Sequence, residues 1–251
     1  MLAIEKRFYK QRVALNVLAN SPENAKAVFQ AAEGHVLIGV LSKDYQTIDN
    51  AIAAMQAYGE AIDGAISIGL GAGDNKQASV VAEIVKHYAC DHINQVFPAV
   101  GATRANLGER NSWINSLVSP TEDPNLVKIS TGAISATIEE QAIVPIKSAI
   151  ALIRDMGGNA IKFFPMKGLT TIEAYKAVAK ACGEEDFGLE PTGGINKENF
   201  NTILEIALAA NVPKIIPHVY SSIISKQTGE TNIEDIYALT DIMKKLVDTY
   251  D

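Results

Sequence analysis

The chain has 251 residues, 47% hydrophobic and 20% charged, with 22 basic against 29 acidic side chains and a net charge of −7. That balance is ordinary for a globular protein with a full core, and with no basic run or aromatic-basic stripe it excludes nucleic-acid binding from the leading readings. Two cysteines, Cys90 and Cys182, are too few for a disulfide framework and lack metal spacing, so a reducing compartment is expected.

The first residues, Met1 to Val13, carry Glu5, Lys6, Arg7, Lys10 and Arg12 and contain no apolar targeting core. Nowhere does an apolar run reach the length of about 18 residues that a membrane helix requires. A soluble, cytoplasmic protein is the expectation. From there short apolar runs alternate with amphipathic stretches. Strands are predicted at Val13–Leu18, Val36–Ser42, Ala65–Gly71, Ile93–Ala99, Leu126–Thr131, Ala160–Pro165, Gly188–Thr192 and Ile215–Tyr220. Between them lie predicted helices, among them Pro22–Ala32, Thr47–Gly59, Lys76–Ala89 and Ile172–Cys182, with Ser21, Asp74 or Asn75, and Thr171 as candidate caps.

Strand starts fall about 23 to 34 residues apart, the size of one strand-helix unit. Eight similar units with no long crossover predict an α/β fold of the (β/α)8 TIM-barrel type, over a doubly wound open sheet. No linker or low-complexity segment interrupts residues 1–251, which read as a single domain. The longest interruption, Val100–Asn125, holds the only tryptophan, Trp113, and reads as a loop on the catalytic face.

The sharpest feature is Ala160-Ile161-Lys162-Phe163-Phe164-Pro165. A lysine inside an apolar strand is rare, because burying an ammonium is costly. Strand alternation puts Lys162 and Phe164 on one face and Ile161 and Phe163 on the other. With the second pair toward the helices, Lys162 points into the barrel. Desolvation there would leave a neutral amine able to attack a ketone. A structural lysine paired with a buried carboxylate is the competing reading. The second feature is Leu189-Glu190-Pro191-Thr192-Gly193-Gly194-Ile195. Glycines just past a strand let backbone amides approach an anion, and Asn196 or Lys197 would open a helix whose N-terminus favours phosphate. Alone, this is also how a tight strand-to-helix turn looks.

Together, Lys162-Phe163-Phe164-Pro165 and, 26 residues on, Pro191-Thr192-Gly193-Gly194 resemble the 2-keto-3-deoxy-6-phosphogluconate aldolases. In that family a KFFP strand carries the Schiff-base lysine and a PTGG segment binds substrate and its phosphate. The whole chain is similar to the longer branch of that family linked to D-glucosaminate catabolism. The resemblance implies a lyase that cleaves 2-keto-3-deoxy-6-phosphogluconate to pyruvate and glyceraldehyde 3-phosphate, with Lys162 as nucleophile and Thr192, Gly193, Gly194 and Phe164 around the substrate. No metal or cofactor is implied. The expected partners are a small phosphorylated keto acid and further copies of the chain in a symmetric homo-oligomer, with no nucleic acid and no membrane.

The chain departs from the family at strand two, which ends Leu41-Ser42-Lys43-Asp44 where the family has its general acid/base glutamate. Glu190, on the face of Thr192, is the first substitute as proton shuttle, and a structural partner for the lysine is an equal alternative. Asp44 is the runner-up, with helix capping as the plainer role. Lys128, in Leu126-Val127-Lys128-Ile129, reads either as a second inward cation near Lys162 that binds substrate or as a lysine snorkelling to solvent. Arg104, just after strand four, has the forked donors that suit a carboxylate or phosphate, and a surface arginine is its alternative. Pro98 matches the family's substrate-lining proline, and Ser221 stands near the family's phosphate-binding serine.

Gly69-Leu70-Gly71-Ala72-Gly73 has its third glycine one residue early for a dinucleotide fingerprint and suits room at the barrel mouth. His87, Cys90, Asp91 and His92 are close in sequence but are expected on the stability face of the barrel, away from the chemistry and without a metal. Two rivals remain: a metal-dependent aldolase or sugar-phosphate epimerase on the same barrel, and a non-catalytic sugar-phosphate-binding regulator.

Overall fold

The computed structural model describes residues 2–250. The parallel strands are β1 Leu15–Leu18, β2 Val36–Leu41, β3 Ile66–Gly69, β4 His92–Val96, β5 Trp113–Pro120, β8 Ala160–Phe163 and β9 Gly188–Pro191. Pairing runs β1-β2-β3-β4-β5-β8-β9. Residues 215–218 close the ring by parallel bridges: Ile215 pairs with Leu189 and Val13, and His218 with Thr192 and Asn16. Backbone bonds Ala14 N to Ile215 O (3.1 Å) and His218 N to Pro191 O (3.0 Å) run along the two seams. The architecture is an eight-stranded α/β barrel whose last strand is short and bridged.

Around it pack α1 Pro22–Ala31, α2 Ile48–Ala61, α3 Ala78–His87, α4 Val100–Leu107, α5 Ile146–Asp155, α6 Ile172–Glu184, α7 Lys197–Ala209 and α8 Ile233–Tyr250. The expected Ser21 cap forms, accepting from Asn24 N at 3.1 Å. Thr171 does not cap α6; its hydroxyl donates to Met166 O instead. Outward strand residues meet the helices, as where Phe163 packs against Tyr175 of α6 with ring centroids 6.1 Å apart.

The fifth barrel strand corrects the sequence reading. It is Trp113–Pro120, placed in the predicted loop, and it pairs with β4 and β8. The predicted strand Leu126–Thr131 instead supplies β6 (Leu126–Lys128), which with β7 (Ile143–Pro145) forms an antiparallel arm on the end of β5. The physical reason lies in the inward positions of β5: Asn115 and Trp113 turn polar atoms to the barrel centre, so the strand lacks the continuous apolar run by which buried strands are recognised.

The barrel interior is layered. At its base Ala14, Leu37, Trp113, Ala160 and Ile216 cluster with Ile4 and Phe8 from the N-terminal segment, whose 3-10 turn Ala3–Arg7 plugs the bottom. Arg7 anchors the plug by donating to Asp91 at 2.9 Å. Burying Ile4 and Phe8 contributes on the order of 1.5–3 kcal/mol each. Gly188 leaves the space Trp113 occupies, since a Cβ there would lie 2.5 Å from the indole. Above this apolar base comes a layer of polar residues, and above that the open mouth.

Candidate active site

The polar layer draws on nearly every strand: Asn16 (β1), Ser67 (β3), His92 and Asn94 (β4), Asn115 (β5), Lys162 (β8), Glu190 (β9) and His218 in the closing segment, all buried. Its hydrogen bonds determine where the protons sit. Ser67 Oγ accepts from Asn16 Nδ2 and Asn94 Nδ2, both at 2.9 Å, so its own proton goes to His92 Nδ1 at 2.7 Å. His92 therefore carries its proton on Nε2 and donates to both Glu190 oxygens at 3.0 Å. Glu190 also accepts from Trp113 Nε1 (2.8 Å), Asn115 Nδ2 (2.6 Å) and His218 Nε2 (2.8 Å). Burial pushes the Glu190 carboxyl up, but His92 and His218 outweigh it and hold it well below the usual carboxylate range.

Asn94 uses both amide protons on Ser67 Oγ and Ile68 O, which turns its Oδ1 to Asn115 Nδ2 and to Lys162 Nζ, each at 2.8 Å. Lys162 is 8% exposed. Burial pushes its amine down to about 8, although the nearby Glu190 carboxylate opposes the shift.

Lys162 lies at the floor of a cavity with about 680 Å³ of open space, its mouth included, at the carboxyl ends of the strands. Two glycine loops form opposite walls: Gly71-Ala72-Gly73 after β3 and Gly193-Gly194 after β9. The Phe164 ring sits between them, 2.9 Å from where a Cβ on Gly73 would lie and 3.4 Å from one on Gly193. Gly194 has φ +73°, and a Cβ there would lie 2.5 Å from Gly168 N, so the turn accepts only glycine. Among the described residues no protein acceptor takes the amides of Gly193, Gly194 or Ile195, which stand in the cavity wall. Asn196 then caps α7, with a capping box to Asn199.

The sequence profile of the KDGP aldolase family matches residues 9–227. The chain belongs to the KDGP aldolase family. It is 45% identical over 245 residues to the 2-dehydro-3-deoxy-phosphogluconate aldolase of Salmonella typhimurium (strain 14028s / SGSC 2262), covering 96% of this chain and 98% of that protein. Among solved structures it resembles (S)-3-O-geranylgeranylglyceryl phosphate synthase from Thermoplasma acidophilum, with TM-score 0.59 and 12% identity over 98% and 99% of the two chains. It also resembles a truncated 3-deoxy-D-arabino-heptulosonate 7-phosphate synthase from Thermotoga maritima, with TM-score 0.52 and 15% identity over 95% and 88%. At such identity these two likenesses establish the barrel fold alone.

Within this KDGP aldolase the cavity gathers Lys162, Phe164, Thr192, Gly193, Gly194 and Ser221 from the sequence expectations. Glu190 lies beneath it, enclosed by its donors, and among the described residues no ion pair joins it to Lys162. Three expectations are corrected. Arg104 sits on α4 and turns to the opposite end of the barrel, donating to Gly157 O, Ser112 O and Asn159 Oδ1, so its fork is occupied. Lys128 lies on the arm, paired with Ser119 and Ile143, away from the cavity. Pro98 packs against Gly132 in a separate surface groove. Asp44, also outside the cavity, pairs with Lys43 at 2.7 Å.

Reasoning from sequence missed His92, Asn94 and Asn115. His92 begins β4, as expected, but its ring turns inward to Glu190 instead of belonging only to the stability face. The signal was period-two polarity: His92 and Asn94 on β4, Trp113 and Asn115 on β5. Among the described residues His92, Glu190 and His218 are the one trio whose ligand atoms converge, within 4.8 Å. With both imidazoles against the carboxylate through Nε2, and Trp113 and Asn115 donating to it as well, the trio forms a hydrogen-bond hub.

Proposed function

We propose that this aldolase cleaves 2-dehydro-3-deoxy-6-phosphogluconate to pyruvate and glyceraldehyde 3-phosphate through a Schiff base on Lys162. The observation that carries the reading is the buried Lys162 amine, held by Asn94 at 2.8 Å and lowered to about 8 at the floor of an open cavity. A neutral amine attacks the C2 ketone, the carbinolamine loses water, and the iminium then accepts the electron pair of the C3–C4 bond. The free amides of Gly193, Gly194 and Ile195 suit the anionic end of the substrate, and Phe164 and Thr192 fix its path between the loops. Glu190 serves as the anchor that orients His92, Asn115 and His218. The Salmonella relative bears the name of this same activity.

The test is incubation with pyruvate and borohydride, followed by peptide mass spectrometry. A stable adduct on Lys162 is expected, unaffected by EDTA. An adduct on another lysine would overturn the site, and no adduct in folded protein would overturn the Schiff base.

Among the described residues no helix is long and apolar enough to cross a membrane. With Cys90 and Cys182 both free and buried, a cytoplasmic location is proposed. A homo-oligomer is the proposed assembly, for which exposed Ile134, Ile138 and Ile143 offer apolar surface; light scattering tests it.

A further inference from the structure

Aldol cleavage needs a group that removes the C4 hydroxyl proton, and among the described residues no carboxylate lines the cavity, whose titratable side chains are Lys162, His218 and Tyr220. Glu190, one layer below, has its oxygens covered by four N–H donors and offers no site for a proton. The Thr192 hydroxyl is turned back to Glu190 O at 3.2 Å.

We infer that Tyr220 is the proton-transfer residue of this site, the outer end of a relay Tyr220–His218 that the Glu190 carboxylate orients and charge-balances. The inference rests on the Schiff-base reading above. Because His218 Nε2 donates to Glu190 at 2.8 Å, its Nδ1 is left as an acceptor, and the Tyr220 hydroxyl lies 2.9 Å from it. The single phenolic proton thus has two acceptors, Asn16 Oδ1 at 3.2 Å and the nearer, more basic His218 Nδ1. The phenol reaches the cavity; the imidazole behind it is 2% exposed.

The step balances without an outside reagent. As the C3–C4 electron pair enters the iminium, the C4 hydroxyl proton passes to the Tyr220 oxygen and the phenolic proton passes to His218 Nδ1. The aldehyde leaves, and an enamine stays on Lys162. His218 is then an imidazolium against the Glu190 carboxylate. Reversal of the relay returns a proton through Tyr220 to C3 of the enamine and restores the iminium, which water hydrolyses to pyruvate. Burial first, and the Lys162 cation second, push His218 down to about 3 in the resting site. Formation of the neutral enamine removes that second cause as the imidazole takes its proton. A high resting phenol, raised by burial and then by Glu190, keeps Tyr220 protonated and able to pass its proton inward.

The test is Tyr220→Phe. Expected are an intact fold by circular dichroism, a retained pyruvate–borohydride adduct on Lys162, and a fall of about 10²- to 10⁴-fold both in cleavage kcat and in exchange of the pyruvate methyl protons with deuterated water. Cleavage within about tenfold of the unaltered enzyme would overturn the relay. Should Tyr220→Phe not fold, site-specific replacement of Tyr220 by 3-fluorotyrosine, a more acidic phenol, keeps every contact. The plateau kcat is then expected to change by about two- to tenfold with the more acidic phenol, and an unchanged plateau overturns the proposal. If the unaltered enzyme itself forms no adduct, the Schiff-base reading fails; if it forms one and Tyr220→Phe still cleaves, the relay alone fails.

Discussion

Lys162 and Glu190 are register partners on adjacent strands, yet their side chains do not pair: the amine goes to Asn94 Oδ1 at 2.8 Å and the carboxylate to His92, Trp113, Asn115 and His218. A direct ion pair would hold the lysine charged. With the carboxylate engaged elsewhere, burial wins and the amine falls to about 8.

This relationship gives a pH profile. The rate of adduct formation with pyruvate should rise about tenfold per pH unit below about 8 and level off above it, as the neutral amine becomes the main form. Borohydride trapping at short times across pH 6 to 10 measures it. A flat profile would mean that the reacting amine is neutral throughout the range.

The buried amine also costs stability. Unfolded, a lysine titrates near its ordinary value of 10.5, so between about 8 and 10.5 the unfolded chain binds more protons and stability rises with pH. Lys162→Met should abolish the adduct and, at pH 7, stabilise the fold by about 3 kcal/mol in urea unfolding, an advantage that shrinks above pH 8. A less stable variant would show that the bond to Asn94 outweighs the desolvation.

Glu190→Gln replaces one acceptor oxygen by an amide that meets N–H donors. Leaving those donors unpaired in the interior should cost about 3–5 kcal/mol by urea unfolding. The carboxylate's contribution is present above its ordinary value and is lost as pH falls toward its depressed one, so acid destabilisation from this group sets in below about pH 4. Equal stability of Glu190→Gln and unaltered protein at pH 7 would refute the hub.

At the rim, Gly194→Ala places a Cβ against Gly168 N in a left-handed turn. With the amides displaced, KM for the phosphorylated substrate should rise about tenfold or more, while trapping by pyruvate, which lacks the phosphate, stays within about twofold. Equal losses for both would show that the loop acts on the lysine and not on the anion.

Arg104→Ala and Lys128→Ala test the corrections. Arg104→Ala should lower stability by about 1–3 kcal/mol through lost bonds to Gly157, Ser112 and Asn159, with kcat/KM of the folded enzyme unchanged. Lys128→Ala should change neither. A fall of more than about tenfold in kcat/KM would put that side chain back at the substrate.

The sequence by itself determined the repeating strand-helix order, the inward lysine and the glycine turn one strand on. Each is written locally: period-two alternation sets Lys162 opposite Phe163, and only glycine tolerates the backbone at position 194. Tertiary structure alone decided the fifth strand and the fate of each candidate polar group. Trp113–Pro120 breaks the apolar pattern because its inward atoms are satisfied by Glu190 and Asn94, residues 77 and 21 positions away. Arg104 follows strand four in the chain, but its helix carries it to the barrel's far end. Whether Glu190 could serve as a base depended on how many donors surround it, and those come from β4, β5 and the closing segment. Local spacing fixes which face a side chain leaves by; which partners it meets there is a property of the closed barrel.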